Sequence, residues 1–136
     1  MKARRMLYKS ITDSILAAFY EVYHALGAGF LEKVYENALL IELRQRGLEV
    51  AQQVPIPVRY KGVPVGEYYA DLLVAQKVIV EIKAVERLTN VHEAQLLHYL
   101  KATDKEVGLL LNFGPKPQII RRIWTNDRKP NLSPQP

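Results

Sequence analysis

The chain has no cysteine, so disulfide bridges and thiolate metal centres are both excluded. It also lacks any apolar run near the roughly 20 residues needed to span a bilayer. The N-terminal stretch MKARRMLYKSITDS is basic, but it has neither the apolar block nor the small-residue cleavage site of an export signal. These absences fit a cytoplasmic protein with no membrane span. No internal repeat is visible. At 136 residues and 49% hydrophobic, the chain is large enough for one real core and too short for two. Its 24% charged residues argue against disorder throughout.

Lysine and arginine number 19 against 14 aspartate and glutamate, and the formal net charge is +5. A basic balance favours polyanionic partners, nucleic acid first; the charge does not tell DNA from RNA, and DNA is the expected partner ahead of RNA. Part of the excess lies at the ends, in KARR and RRIWTNDRK.

Hydrophobic spacing orders the chain. Ile11, Ile15, Ala18, Phe19, Val22 and Leu26 recur at helical intervals over 10–26, and the GAG at 27–29 ends that helix. A second helix is expected over about 31–46. The prolines in EVAQQVPIPVRY (49–60) forbid an interior helix and indicate extended chain. VPVGEYYADLLV and KVIVEIKAV read as strands, VHEAQLLHYLKAT (91–103) as a third helix, and EVGLLLNF and QIIRRIW as two further strands. The order α-α-β-β-β-α-β-β implies an α/β (α+β) domain over 10–124, a central mixed sheet flanked by helices. Residues 1–9 form a basic extension, and the polar, proline-rich 125–136 is expected to be a disordered tail.

The two strands around Ala75–Lys77 carry charge where charge is costly. If residues 75–77 form the turn, Val74 faces Val78 and Asp71 faces Glu81, with Cβ atoms about 4.5–5.5 Å apart. Lys83 then points to the same face, while Leu72, Val74, Val78, Val80 and Ile82 occupy the other. Two adjacent carboxylates repel unless a cation or proton relieves them. Hard oxygen ligands suit Mg²⁺ or Mn²⁺. Two acids holding such an ion beside a lysine form an arrangement able to cleave a phosphodiester. The alternative is an exposed hairpin face bearing a Glu–Lys–Asp salt-bridge cluster.

Asp71 followed by Glu81-Ile82-Lys83 resembles the core motif of the PD-(D/E)xK nuclease superfamily, with Ala70 where proline often stands. HALGAGFLEKVYENAL (24–39), with Gly29, Glu32 and Tyr35, is similar to the signature of the GxxExxY family, which is placed in that superfamily. The resemblance implies a restriction-endonuclease-like core and Mg²⁺-dependent phosphodiester hydrolysis. It implies Asp71, Glu81 and Glu32 as metal ligands and Lys83 as the residue that orients water. Gln95 and Tyr99 resemble the Q-x-x-x-Y motif that contacts nucleic acid, and Tyr35 is a further candidate for substrate contact, the alternative being a core tyrosine with a hydrogen-bonded hydroxyl. On this reading Glu36 is a solvated neighbour, while His24, His92 and His98 are structural or surface residues. A homodimer would offer more surface for gripping nucleic acid. A non-catalytic binding module or a protein-interaction scaffold on the same fold is the competing function.

Overall fold

The computed structural model describes residues 7–129, so the first six residues of the basic extension and the last seven of the expected tail lie outside the described residues. Helices α1 (Lys9–Leu26) and α2 (Glu32–Gln45) come first, followed by strands β1 (Val50–Tyr60), β2 (Val63–Val74) and β3 (Val78–Lys83). Helix α3 (Asn90–Ala102) and strands β4 (Val107–Asn112) and β5 (Gln118–Ile123) complete the order expected from hydrophobic spacing. The five strands form one sheet in the order β1-β2-β3-β4-β5. β3 and β4 run parallel, joined through α3, and the other neighbours are antiparallel. The architecture is therefore a mixed sheet with helices on both sides.

Period-2 alternation separates two cores, except at Gln53 and Asp71, where the break in β1 and β2 sends Leu72 and Ala70 to opposite faces. Leu72, Val74, Val78, Val80 and Ile82 pack with Ile15, Phe19, Tyr35, Leu39 and Leu43 of α1 and α2. On the opposite face Ile56, Ala70, Ile79 and Leu110 meet Leu96, Tyr99 and Leu100 of α3. Helix α3 comes so close that a Cβ on Gly108 would stand 2.6 Å from Leu96 Cδ1. Prolines 55 and 57 lie on the edge strand β1. They are two residues apart, so their missing N–H groups face the open edge and cost the ladder nothing.

Thr125 to Lys129, expected to belong to a disordered tail, are instead folded back onto the domain. Asn126–Arg128 form a 3₁₀ turn. The Lys129 ammonium donates to Thr103 O, Lys105 O and Asn126 Oδ1 at 2.9, 2.7 and 2.6 Å. Burial pushes its pKa down to about 8. A lysine anchoring the chain by backbone carbonyls leaves no composition signal, which explains the difference from expectation.

Candidate active site

The site is made where β2 and β3 part. Their ladder joins Val74 to Val78, Leu73 to Ile79 and Leu72 to Val80, and then stops. The turn at 75–77 is the one that places Asp71 across from Glu81; Ala75 and Gln76 take left-handed φ of 52° and 57° to make it. Beyond Leu72 the side chains replace the ladder. The Asp71 N–H donates to Glu81 Oε2 at 2.8 Å, and the Ile82 N–H donates to Asp71 Oδ2 at 2.7 Å. The carboxylates wedge the strands apart and at the same time satisfy the backbone donors freed by the split.

Burial decides between the two readings of this hairpin. Glu81 is only 4% exposed, so a solvated salt-bridge face is ruled out. Desolvation raises its pKa to about 8, helped by the charge of Asp71. Asp71 is raised too, by desolvation first and by Glu36 in part. Lys83 ends β3 on the same face, half-buried. Its charge lowers both acids slightly. Among the described residues no ion pair within 4.0 Å ties its ammonium to either carboxylate.

Helix α3 covers this face. Gln95 Nε2 donates to the Tyr99 hydroxyl at 2.8 Å, as the i, i+4 spacing allows. Tyr99 is buried, and its pKa rises to about 12 through desolvation and then the charges of Glu81 and Asp71. Tyr99 thus lies within electrostatic reach of the acid pair, and Gln95 holds its hydroxyl.

Helix α2 departs from expectation at three positions. Glu32 is its first residue, exposed and not brought to the acids. Glu36, read from the sequence as a solvated neighbour, is 3% exposed and lies one turn further in. Gln53 Nε2 bridges it to the acid pair, 3.0 Å from Glu36 Oε1 and 3.3 Å from Asp71 Oδ1. Gln52 and Lys33 also hold the Glu36 carboxylate. Tyr35, a candidate for substrate contact, is fully buried, with its ring stacked 4.4 Å from that of Phe113. Its hydroxyl donates to Gly27 O at 2.5 Å and accepts from the Phe30 N–H at 3.1 Å. That phenol staples the loop between α1 and α2, where Gly27 and Gly29 have φ of 68° and 115°.

Sequence reasoning therefore missed Glu36 and Gln53. A signal for Glu36 existed: it sits between Tyr35 and Leu39, within the stripe of α2 that is buried. Gln53 gave none, because counting outward from the Lys61–Gly62 turn sets Gln52 across from Asp71. A bulge between Val58 and Arg59 shifts the register by one. Gln53 itself has a left-handed φ of 53°.

A family model described as the PD-(D/E)XK nuclease superfamily matches residues 9–123. The chain belongs to this superfamily. A search of curated proteins finds none that matches. Among solved structures it is similar to one titled "Crystal structure of SSO0001", at 19% identity and a TM-score of 0.52. That alignment covers 92% of this chain and 64% of the other; at such identity it shows the fold alone. Members of the superfamily generally use divalent metals.

The donors present suit such an ion in part. Half-buried Asp71 and buried Glu81 offer carboxylate oxygens whose repulsion a divalent cation would relieve. Among the described residues no three His, Cys, Asp or Glu side chains gather closely enough to form a cage. The fit is thus to an ion with two protein ligands, its other positions going to water and substrate, a common arrangement for Mg²⁺.

Proposed function

We propose that the protein is a metal-dependent nuclease of the GxxExxY branch, hydrolysing phosphodiester bonds in nucleic acid, DNA before RNA. The observation that carries this reading is the pair of buried Glu81 and half-buried Asp71 with an uncommitted lysine beside it. Mg²⁺ or Mn²⁺ on the two carboxylates would supply Lewis acidity at the scissile phosphate. Lys83 orients the attacking water and steadies developing negative charge. Asp71 and Glu81 are fixed in direction by the backbone N–H groups they accept. Gln95 and Tyr99 border the substrate path on the α3 side.

The test is a substrate panel of single-stranded, duplex and structured DNA and RNA with Mg²⁺, Mn²⁺, Ca²⁺ or a chelator. Cleavage with Mg²⁺ or Mn²⁺ that stops on chelation is expected. A full panel left uncut, or cutting that continues in the chelator, overturns the proposal.

Glu36 is the acid of α2 that serves this site, and it acts through Gln53 to hold Asp71. Substitutions that disturb the groups orienting a metal ligand typically cost about 10- to 100-fold in affinity or activity. Glu36→Gln is expected to lose that much, in apparent metal affinity more than in limiting rate, and Glu32→Gln to stay within about twofold. Mn²⁺ titration of both variants checks the ranking, and equal losses would reject it.

A further inference from the structure

We propose that the ribbon formed by the outer halves of β1 and β2 is a binding surface for unpaired nucleotides, with Tyr68 as the platform on which a base stacks. This deepens the nuclease reading by naming its substrate class, single-stranded nucleic acid. β2 pairs with β3 at only three positions but continues along β1 to Val63. Beyond the acid pair the sheet is therefore two strands wide. Its turn, Lys61–Gly62, has φ of 51° and 78°, as a two-residue hairpin requires.

The ribbon's two faces differ. Tyr68, opposite Ile56, looks toward α3, and its ring centroid is 5.9 Å from that of Tyr99. Tyr99 in turn feels the charges of Glu81 and Asp71, so the Tyr68 ring lies on the side of the sheet whose helix faces the acid pair. It is 51% exposed despite that contact. Gly66 shares this face two residues on, and a Cβ there would meet nothing within 4 Å. Neither backbone nor packing requires glycine at that position; it leaves the surface beside the Tyr68 ring open. Arg59 and Lys61 place exposed positive charge at the tip, in a chain of net charge +5. An aromatic platform joined to a basic run is how single strands are held without base-specific readout, and a paired base has no free face to offer it. A second copy of the chain is a poor occupant, because Pro55 and Pro57 remove two donors from the edge that would extend the sheet.

Anisotropy of labelled oligothymidylate and of a duplex of equal length, measured in chelator to prevent cleavage, tests the proposal. Wild type is expected to bind the single strand more tightly than the duplex. Tyr68→Ala is expected to weaken single-strand binding about tenfold, the loss of one stacked base, and Tyr68→Phe to retain it. Tyr69→Ala, on the outward face, is expected to stay within about twofold. Circular dichroism melts confirm that each variant folds. Equal affinity for duplex, equal losses from Tyr68→Ala and Tyr69→Ala, or a change in sedimentation on Tyr68→Ala that marks the ribbon as a contact between copies would each overturn it. Binding as expected without cleavage sinks the nuclease reading and leaves this surface standing. Cleavage with a duplex preference does the reverse.

Discussion

Lys83→Ala is expected to slow metal-dependent cleavage by roughly 10²–10³-fold while leaving thermal stability close to wild type. The separation of the two effects follows from where the lysine sits. It pairs with Asn112 through the backbone of the β3–β4 ladder, which an alanine preserves. Among the described residues its ammonium is held by no ion pair or hydrogen bond, so truncation breaks no polar contact. Asn112, buried beside it, independently ties the following loop by donating to Val85 O and accepting from the Val85 N–H, both at 2.9 Å. A charge kept half-buried without a structural partner is available to the reaction. Lys83→Arg is not expected to rescue the rate, because a planar guanidinium cannot replace a compact ammonium at one point. Single-turnover cleavage and melting curves on the same preparations decide the matter. Cutting at the wild-type rate would remove Lys83 from the mechanism, and a parallel fall in melting temperature would assign it a structural role.

Glu81→Gln is expected to make the protein more stable at pH 8 and to abolish its stabilisation by Mg²⁺. In the unfolded chain Glu81 loses its proton near pH 4.5, and in the folded protein only near 8. Between those values the folded state binds the extra proton, so wild-type stability falls as pH rises. The slope is about 1.4 kcal/mol per pH unit for one group, on the order of 5 kcal/mol over the window. Asp71 is raised as well and adds in the same direction. Below about pH 4.5 both forms of Glu81 are protonated and the penalty vanishes. Glutamine carries no charge to desolvate, and its side-chain oxygen can still accept the Asp71 N–H. A cation that binds only the folded, ionised pair stabilises wild type by mass action, most strongly toward pH 8. The variant offers it one ligand fewer. Melting temperatures from pH 5 to 8.5, with and without Mg²⁺, test both halves. Identical pH profiles for wild type and variant would mean that Glu81 is not buried as charge.

The two results together separate catalytic from structural function within six consecutive residues of chain. β3 is buried along nearly its whole length, as a central strand should be. Its one buried acid lowers stability at neutral pH, and the hydrogen bond it accepts from the Asp71 N–H offsets that only in part. Stability given up at a site with charge arranged for a cation and a phosphate is the pattern expected of an active site.

Sequence by itself was enough for the elements, their order and the central pair of acids. Each of these depends on short-range periodicity. Alternation by two along a hairpin, with a turn at 75–77, forces Asp71 and Glu81 together and sends Lys83 to the same face wherever the hairpin later docks. Other assignments required the tertiary structure. Glu32 and Glu36 share one helical face, and local rules cannot tell which turn of α2 will meet the sheet; packing of Tyr35, Leu39 and Leu43 chose Glu36. Gln53 reached Asp71 only because a bulge several residues away moved the register of β1. Tyr35 lost its place as a substrate contact when its hydroxyl was taken by Gly27 and Phe30, and Tyr68 was left exposed where β2 leaves β3. Residues close in sequence meet through fixed backbone geometry, whereas residues far apart meet only after whole elements have packed.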